Sequence, residues 1–427
     1  MKCQEPSRSP ILKSRPFALM IFPIDVGTAK GSRTARRRSI EVKNLDFSLS
    51  IKQKQIRQMA RQFAQIELAP IAKEIDAEAR FPWEVVEKMA SLNFFGMQAP
   101  REYGGAEVDS ISYCLVIEEI SRVCAAMGLT IAVHNSVVVF PISRFGNEDQ
   151  KRRFLMPLAR GEKIGAFCLT EPNAGSDAMA IESTAMGDGE GYVVNANKIF
   201  VTNGGVADIL IVFVTVNRED VKRGFSAVLV ERGTPGFEVG LLEDSCGVRA
   251  NPVCSIVLTD CRVPRENLLG REGEGFKIAM AALDTGRIGI AAQAVGIAQG
   301  ALDVSLKYAK ERIQFKVPIA RHQAIQLMLA DMGTMVEASR LLTLQAAHVR
   351  DQGGDLSAPS AMAKLFAART ASKVASMGVQ IHGGYGYSKD YLIERYFRDA
   401  RVTEIYEGTN EIQQIVIARE LLRRGED

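Results

Sequence analysis

Tyr192-Val193-Val194-Asn195-Ala196-Asn197-Lys198-Ile199-Phe200-Val201-Thr202-Asn203-Gly204 is where the hydrophobic rhythm of the chain drops to a period of two. Alternate side chains of a strand face opposite ways, so Tyr192–Val194 and Ile199–Val201 read as strands. Ile209–Val216, Phe225–Val230 and Ser255–Leu258 keep the same pattern, with Gly, Asn, Asp and Pro between them. An all-β insertion therefore runs from Lys163 to about Pro264. In its Lys198–Gly204 stretch, Phe200 and Thr202 lie two apart and are expected on one strand face, a ring beside a hydroxyl.

Helical periodicity flanks the insertion on both sides. Upstream, Ile56, Met59, Phe63 and Ile66 recur at three- and four-residue steps. Pro70 interrupts that helix, Trp83–Leu92 forms another, and Glu102-Tyr103-Gly104-Gly105 reads as a turn. Val123–Ser143 is the longest charge-free stretch and has the length of a membrane span. His134, Asn135 and Ser136 at its centre are costly in lipid, so a buried core helix or helix pair is the better reading. Downstream of Gly273, Ile325, Met328, Met332, Met335 and Leu342 form one stripe, with the methionines as core filler. Ser357-Ala358-Pro359 opens the next helix, Gly383–Tyr387 breaks it, and a final helix spans about Asn410 to Leu422.

Composition narrows the function classes. The 427 residues carry a formal net charge of +3, with 47% apolar and 24% charged residues, as in ordinary globular proteins. Residues 1–40 hold nine Lys/Arg and two acids, a net of +7, which leaves −4 for the rest. A mildly acidic body argues against nucleic acid as the partner. The tail is compatible with an organellar transit peptide, an upstream start codon or a disordered arm. Seven cysteines, an odd number without a C-x-x-C pair, point to a reducing compartment. The cytoplasm of a bacterium is the expected location, with the mitochondrial matrix as the alternative if the tail is a transit peptide. Four scattered histidines offer no metal-ligand spacing, so no metal is expected. Neither a dinucleotide-type G-x-G-x-x-G after a strand nor a Walker loop is present.

Four segments carry the chemistry. Phe167–Asp177 ends a strand in a turn of small hydrogen-bonding residues, able to offer N–H and hydroxyl groups to a polar ligand edge. Lys198–Gly204 offers the ring and hydroxyl described above. Gln380–Tyr387 holds three glycines in four residues, which allow close backbone approach. Ile405–Ile412 sets the Glu407 carboxylate before Gly408 and a helix start that Thr409 or Asn410 can cap. Taken alone, each also reads as something plainer: a β-turn, a half-buried strand, a helix C-cap, a solvated loop carboxylate.

Together, in this order and spacing, the segments resemble the acyl-CoA dehydrogenases, and the short-chain (butyryl-CoA) branch most of all. The resemblance covers about 380 residues from Leu45 onward. It implies an α+β fold: an N-terminal helical domain (45–162), a middle β-barrel (163–268) and a C-terminal four-helix bundle (269–427), preceded by the 1–44 extension. It implies FAD, an acyl-CoA substrate, a homotetramer and electron-transfer flavoprotein as redox partner.

Residue by residue, Cys168, Leu169, Thr170, Gly175 and Ser176 resemble the family's first flavin segment, with Ser176 also touching the acyl-CoA. Phe200, Val201 and Thr202 resemble the second; many members carry Trp where this chain has Phe200. Arg312, Gln314, Phe315 and Gln323 match a segment that reaches FAD across a subunit interface, Arg312 at the pyrophosphate. Gln380, Gly383 and Gly384 look like further FAD contacts, and Thr409 and Glu411 like residues at its adenosine end. Asp284, Arg287 and Gly408 resemble substrate contacts.

Glu407 matches the catalytic base. Isovaleryl- and long-chain-type relatives draw the base from the helix around residue 286, which here is Gly286, so Glu407 alone can serve. The implied reaction is α,β-dehydrogenation of a short saturated acyl thioester to the trans-2-enoyl product, Glu407 taking the α-proton and the flavin the hydride. Branched, cyclic and dicarboxylic short acyl-CoAs stay open as substrates. An acyl-CoA oxidase and a flavin-bearing nucleic-acid-binding relative are the competing classes. The loop Asp244–Pro252 departs from the family, which has a Lys near Ser245 and a Ser-Ser/Thr pair near Asn251.

Overall fold

The computed structural model describes residues 48–423. The basic 1–44 extension lies outside the described residues. Ser50 starts the first helix through a reciprocal cap. Its hydroxyl accepts the Gln53 N–H at 3.2 Å, and the Gln53 side chain accepts the Ser50 N–H at 2.9 Å. Helix α1 (Ile51–Phe63) continues into a π-helical turn at Ala64–Leu68 and ends at Pro70, which has no N–H to extend the ladder. Short α2 (Ala72–Ala77) and α3 (Trp83–Ser91) lead to α4 (Ser110–Ser121), capped by Asp109.

The charge-free stretch becomes one continuous rod: α5 (Ala125–Val133), a π-helical segment at His134–Val139, and α6 (Phe140–Phe145). Its most apolar window is 94% buried inside the fold, as expected of a core element. The central polar residues are all partnered, which is what makes their burial tolerable. Asn135 donates to the Phe94 and Ile131 carbonyls at 2.8 Å and accepts the Met97 N–H at 3.0 Å. His134 Nδ1 accepts the Gly165 N–H and its Nε2–H donates to the Leu158 carbonyl, both at 3.1 Å. Burial lowers this imidazole to about 4, so it is neutral and stitches the rod to the first strand. Helices α7 (Glu148–Gln150) and α8 (Met156–Ala159) close the helical part.

Next come β1 (Gly165–Cys168), β2 (Thr184–Gly187), β3 (Gly191–Val201), β4 (Ile209–Thr215), a helical turn α9 (Val221–Gly224), then β5 (Phe225–Glu231), β6 (Phe237–Leu242), β7 (Cys254–Pro264) and β8 (Leu268–Leu269). They form one eight-stranded sheet in the order β6-β7-β3-β2-β4-β5-β8, with β1 parallel to β4. The inner face encloses its own apolar core, drawing Val194, Val212, Val228, Ile256 and Val263 from four strands. Strand β4 is buried along its whole length because Ile209, Ile211 and Phe213 face the helices while Leu210, Val212 and Val214 face the sheet core. The short strands β2 and β8 carry too few apolar side chains to declare a period in the sequence.

The two readings at 192–194 and 199–201 are one strand, β3, with register shifts between Val194 and Ala196 and between Lys198 and Val201. This corrects the shared face expected of Phe200 and Thr202. Phe200 sits at φ +54° and Thr202 lies past the strand end, so simple alternation stops at the second shift.

The last part holds α10 (Gly275–Glu311), a small ribbon of β9 (Ile313–Gln314) and β10 (Val317–Pro318), then α11 (Gln323–Asp351), α12 (Ser357–His382), α13 (Ile393–Val402) and α14 (Asn410–Arg423). The long helices α10, α11 and α12 pack on one another, and α14 lies on α12. Met332 of the expected stripe is fully buried, and Ile325, Met328, Met335 and Leu342 pack partly buried beside it.

Candidate active site

Glu407 lies in the connection between α13 and α14, at φ +52°, followed by Gly408 at φ +92°. A non-glycine side chain there stores about 1–3 kcal/mol of strain, which persists only where neighbours fix it and which concentrates at functional sites. Both Glu407 carboxylate oxygens are buried and have no hydrogen-bond partner, although other atoms of the residue are partly open. Burial pushes the carboxyl up to about 8, against the pull of Arg287 and Lys364. An unpaired buried carboxylate is costly, and a proton acceptor poised near neutral pH is what general-base chemistry asks for.

Room for that carboxylate comes from Gly286 in α10. A methyl group built on Gly286 would overlap Glu407 Oε2. Gly286→Ala should therefore displace the carboxylate and lower kcat by about 10–10²-fold, as a shift of order 1 Å costs, with the fold intact by circular dichroism. At the next residue of the same helix, Arg287 Nη1 donates to Asp284 Oδ1 at 2.6 Å, with Nε left unpartnered. Part of the anionic partner that a buried arginine demands is thus internal, and one N–H remains to be met. Tyr406 hydrogen-bonds the Gln293 side-chain carbonyl at 2.5 Å, and Gln293 donates to the Ala125 carbonyl at 3.0 Å, tying this connection to α10 and α5.

A second group forms at the end of β1. The Ile199 N–H donates to the Thr170 carbonyl at 3.0 Å, which joins the first two predicted segments. Lys198 Nζ, completely buried, meets Glu171 Oε1 at 2.5 Å and the Leu169 carbonyl at 3.2 Å. Glu171 also accepts the Glu182 N–H at 2.6 Å and the Ser183 N–H at 3.2 Å. Cys168 and Val201 turn their side chains into the sheet core, so only their backbones are available to a ligand. Phe200 keeps a 60% exposed ring, and Gly175 has open space around it.

The Asp244–Pro252 loop is built into this group. Asn251 donates to Thr130 Oγ1 at 2.9 Å and Asn203 Oδ1 at 2.6 Å, and accepts the Asn203 N–H at 3.1 Å. Cys246 is exposed, while Val248 donates to Asp399 Oδ1 at 2.6 Å and Arg249 to the Asp76 carbonyl at 3.0 Å. The atypical Asn251 thus clamps the residue after Thr202 to the helical rod.

A third group gathers where α10 and α12 end. The Arg312 guanidinium lies 5.3 Å from the Tyr385 ring centroid, and Tyr308 stacks on His382 at 4.2 Å. Gln314, Phe315, Gln323, Gln380, Gly383 and Gly384 are exposed here. Among the described residues no hydrogen bond or ring contact links this group to the 167–177 turn of the same chain. Thr409 Oγ1 accepts the Ile412 N–H at 3.3 Å as the N-cap of α14, with Glu411 exposed beside it.

Three family models match in sequence: the acyl-CoA dehydrogenase N-terminal domain over 50–162, its middle domain over 166–261 and its C-terminal domain over 273–422. The chain belongs to the acyl-CoA dehydrogenase family. Among curated relatives it is 46% identical over 379 residues to the short-chain-specific acyl-CoA dehydrogenase of Clostridium acetobutylicum, covering 89% of this chain and 100% of the relative. Among solved structures, a chain from work on the electron transferring flavoprotein of Acidaminococcus fermentans superposes with a TM-score of 0.88 at 47% identity, covering 89% of this chain and 100% of that one. Butyryl-CoA dehydrogenase of Megasphaera elsdenii superposes with a TM-score of 0.87 at 43% identity, covering 88% and 100%.

Within this acyl-CoA dehydrogenase architecture, sequence reasoning missed Lys364, the Lys198–Glu171 pair and the Asn251 clamp. A lone lysine in the apolar run Ala361-Met362-Ala363-Lys364-Leu365-Phe366 is the signal that could have found the first. For the second, Lys198 falls in register with the inward-facing Tyr192, Val194 and Ala196.

Proposed function

We propose that this chain dehydrogenates a short-chain acyl-CoA to the trans-2-enoyl-CoA, using FAD and passing electrons to electron-transfer flavoprotein. The observation that carries the reading is the buried, unpartnered Glu407 carboxylate held over Gly286.

The residues present fit FAD. Open space surrounds Gly175, Gly383 and Gly384, and an aromatic ring stands exposed at Phe200. The Thr170, Ser176 and Thr202 hydroxyls lie on the same two segments, and Arg312 supplies a cation for a pyrophosphate. Bound FAD supplies the hydride acceptor. Glu407 accepts the α-proton on its buried carboxylate. Gly286 keeps the space in front of it clear, and Arg287 with Asp284 forms a polar edge for the thioester's CoA portion. Because Arg312, Phe315 and the Gly383–Gly384 segment form a separate group from the 167–177 turn, we read them as serving a neighbouring subunit's cofactor in a homotetramer. Phe315, 88% exposed, and Tyr387, 91% exposed, support that reading as apolar surface awaiting cover.

The pH dependence has a definite sign. Only ionised Glu407 accepts a proton, and its carboxyl is raised to about 8 by burial. For the free enzyme kcat/KM should therefore climb about tenfold per pH unit below that value and level off above it; a flat profile from pH 6 to 9 counts against this base. The functional test is anaerobic bleaching of the yellow protein with linear C4–C8, branched, cyclic and dicarboxylic acyl-CoAs. Fastest bleaching with a linear C4 substrate is expected, and no bleaching by any member overturns the reading.

A further inference from the structure

We propose that Lys364 is a positioning residue for the base: from α12 it clamps the turn that carries Glu407 and supplies the charge that keeps the carboxylate available. The inference rests on the dehydrogenase reading above.

Lys364 is fully buried. Its ammonium donates to the Gly408 carbonyl at 2.8 Å and reaches Asn410 Oδ1 at 3.5 Å. Gln413 Nε2 donates to the same Gly408 carbonyl at 2.9 Å and to the Glu407 carbonyl at 3.2 Å. Three of these four bonds end on the two consecutive residues held at positive φ. They matter because nothing holds the carboxylate itself: neither oxygen of Glu407 has a hydrogen-bond partner. The direction of the base is therefore set through its backbone, and Lys364 is the charged member of that clamp. A methyl group on Gly408 would also run into the Gln413 amide, so the turn has little freedom to relax.

A lysine is a demanding choice for this place. A neutral donor such as Gln413 already shows that an amide can hold the carbonyls. Burying an ammonium is costly unless a negative charge repays it, and the carboxylate that offsets the cost is Glu407. Burial pushes the Lys364 ammonium down, and Glu407 is the chief influence holding it up. The charged and titratable groups that act on the pair are Arg287 from α10, Tyr113 from α4, Glu404 and Tyr406 from the connection, and Glu411 from α14. Arg287 is partly engaged by Asp284 at 2.6 Å. Lys364 has no carboxylate of its own within ion-pairing distance among the described residues.

The test compares Lys364→Met, which keeps the stem and removes the charge and donor, with Lys364→Arg, which keeps the charge, all as FAD-loaded enzyme. The expected result for Lys364→Met is a fall in kcat of about 10-fold or more with KM changed less than about threefold. The acid limb of its kcat/KM profile should move to higher pH by about one unit, since a nearby cation favours the ionised base. Lys364→Arg should return the limb toward wild type. A Lys364→Met enzyme that is less heat-stable yet keeps the wild-type limb and kcat shows a purely structural lysine and overturns the inference. If Lys364→Met yields no soluble flavoprotein, Lys364→Gln against Lys364→Arg carries the same comparison, with the same two outcomes. A wild-type enzyme that bleaches with no acyl-CoA overturns the dehydrogenase reading and this inference with it. Wild-type bleaching with an unmoved limb in the variants overturns this inference alone.

Discussion

Glu407→Gln should leave the protein yellow and lower turnover by about 10³-fold, within the range that loss of a positioned general base produces. The substitution keeps the size and nearly the shape of the side chain, and no hydrogen bond to the carboxylate is there to be lost. The turn at Glu407 and Gly408 is held through backbone carbonyls by Lys364 and Gln413, so its geometry survives. Flavin content comes from the absorption spectrum, and single-turnover bleaching measures the chemical step. Bleaching within tenfold of wild type would remove Glu407 from the role of base. A colourless variant would mean that it serves the cofactor's hold instead.

Lys198→Met carries the second large effect, on stability. Removing one partner from a buried ion pair costs about 3–5 kcal/mol, because the other charge is left uncompensated. Lys198 is completely buried and Glu171 is 5% exposed. Burial pushes the ammonium down and Glu171 holds it up, while burial of Glu171 is outweighed by Lys198 and two backbone N–H donors. Without Lys198 that carboxylate keeps only the two N–H bonds and the Leu169 carbonyl loses its donor. The expected readout is a marked drop in the urea midpoint together with weaker flavin retention, since Thr170 lies between the two residues the lysine binds. Lys198→Met with Glu171→Met should recover most of the stability, as paired removal does elsewhere, without recovering flavin affinity. Equal midpoints for the single variant and the wild type would show that the pair contributes little.

Much of the layout was legible because long periodic elements declare themselves. The helix at Trp83, the rod through His134, the break at Gly383 and the last helix from Asn410 all lie where the pattern put them. Short strands such as Thr184–Gly187, four residues of Thr, Ala, Met and Gly, escaped. They are strands because neighbours pair with them, which no local period reports. Glu407 was singled out by its resemblance to the family's catalytic segment, with Gly286 where other relatives place the acid, and not by its local pattern. Its supports were not, because Lys364 and Gln413 act across the fold rather than along the chain. The position of Phe200 was misjudged for a related reason: a bulge changes which face a side chain takes, and it leaves no mark on the spacing.

Gly286 and Glu407 compete for one volume, and that has an evolutionary consequence. A side chain at 286 and the carboxylate of 407 cannot both be present as they stand, because even a methyl group on the helix meets the acid. A chain that gains a side chain at 286 while keeping Glu407 must swing the carboxylate out of its seat, since the atoms in the way are the movable end of that side chain. Relocating a carboxylate from loop to helix therefore passes through forms in which the two groups crowd one another, and the glycine makes the present arrangement the one with least conflict.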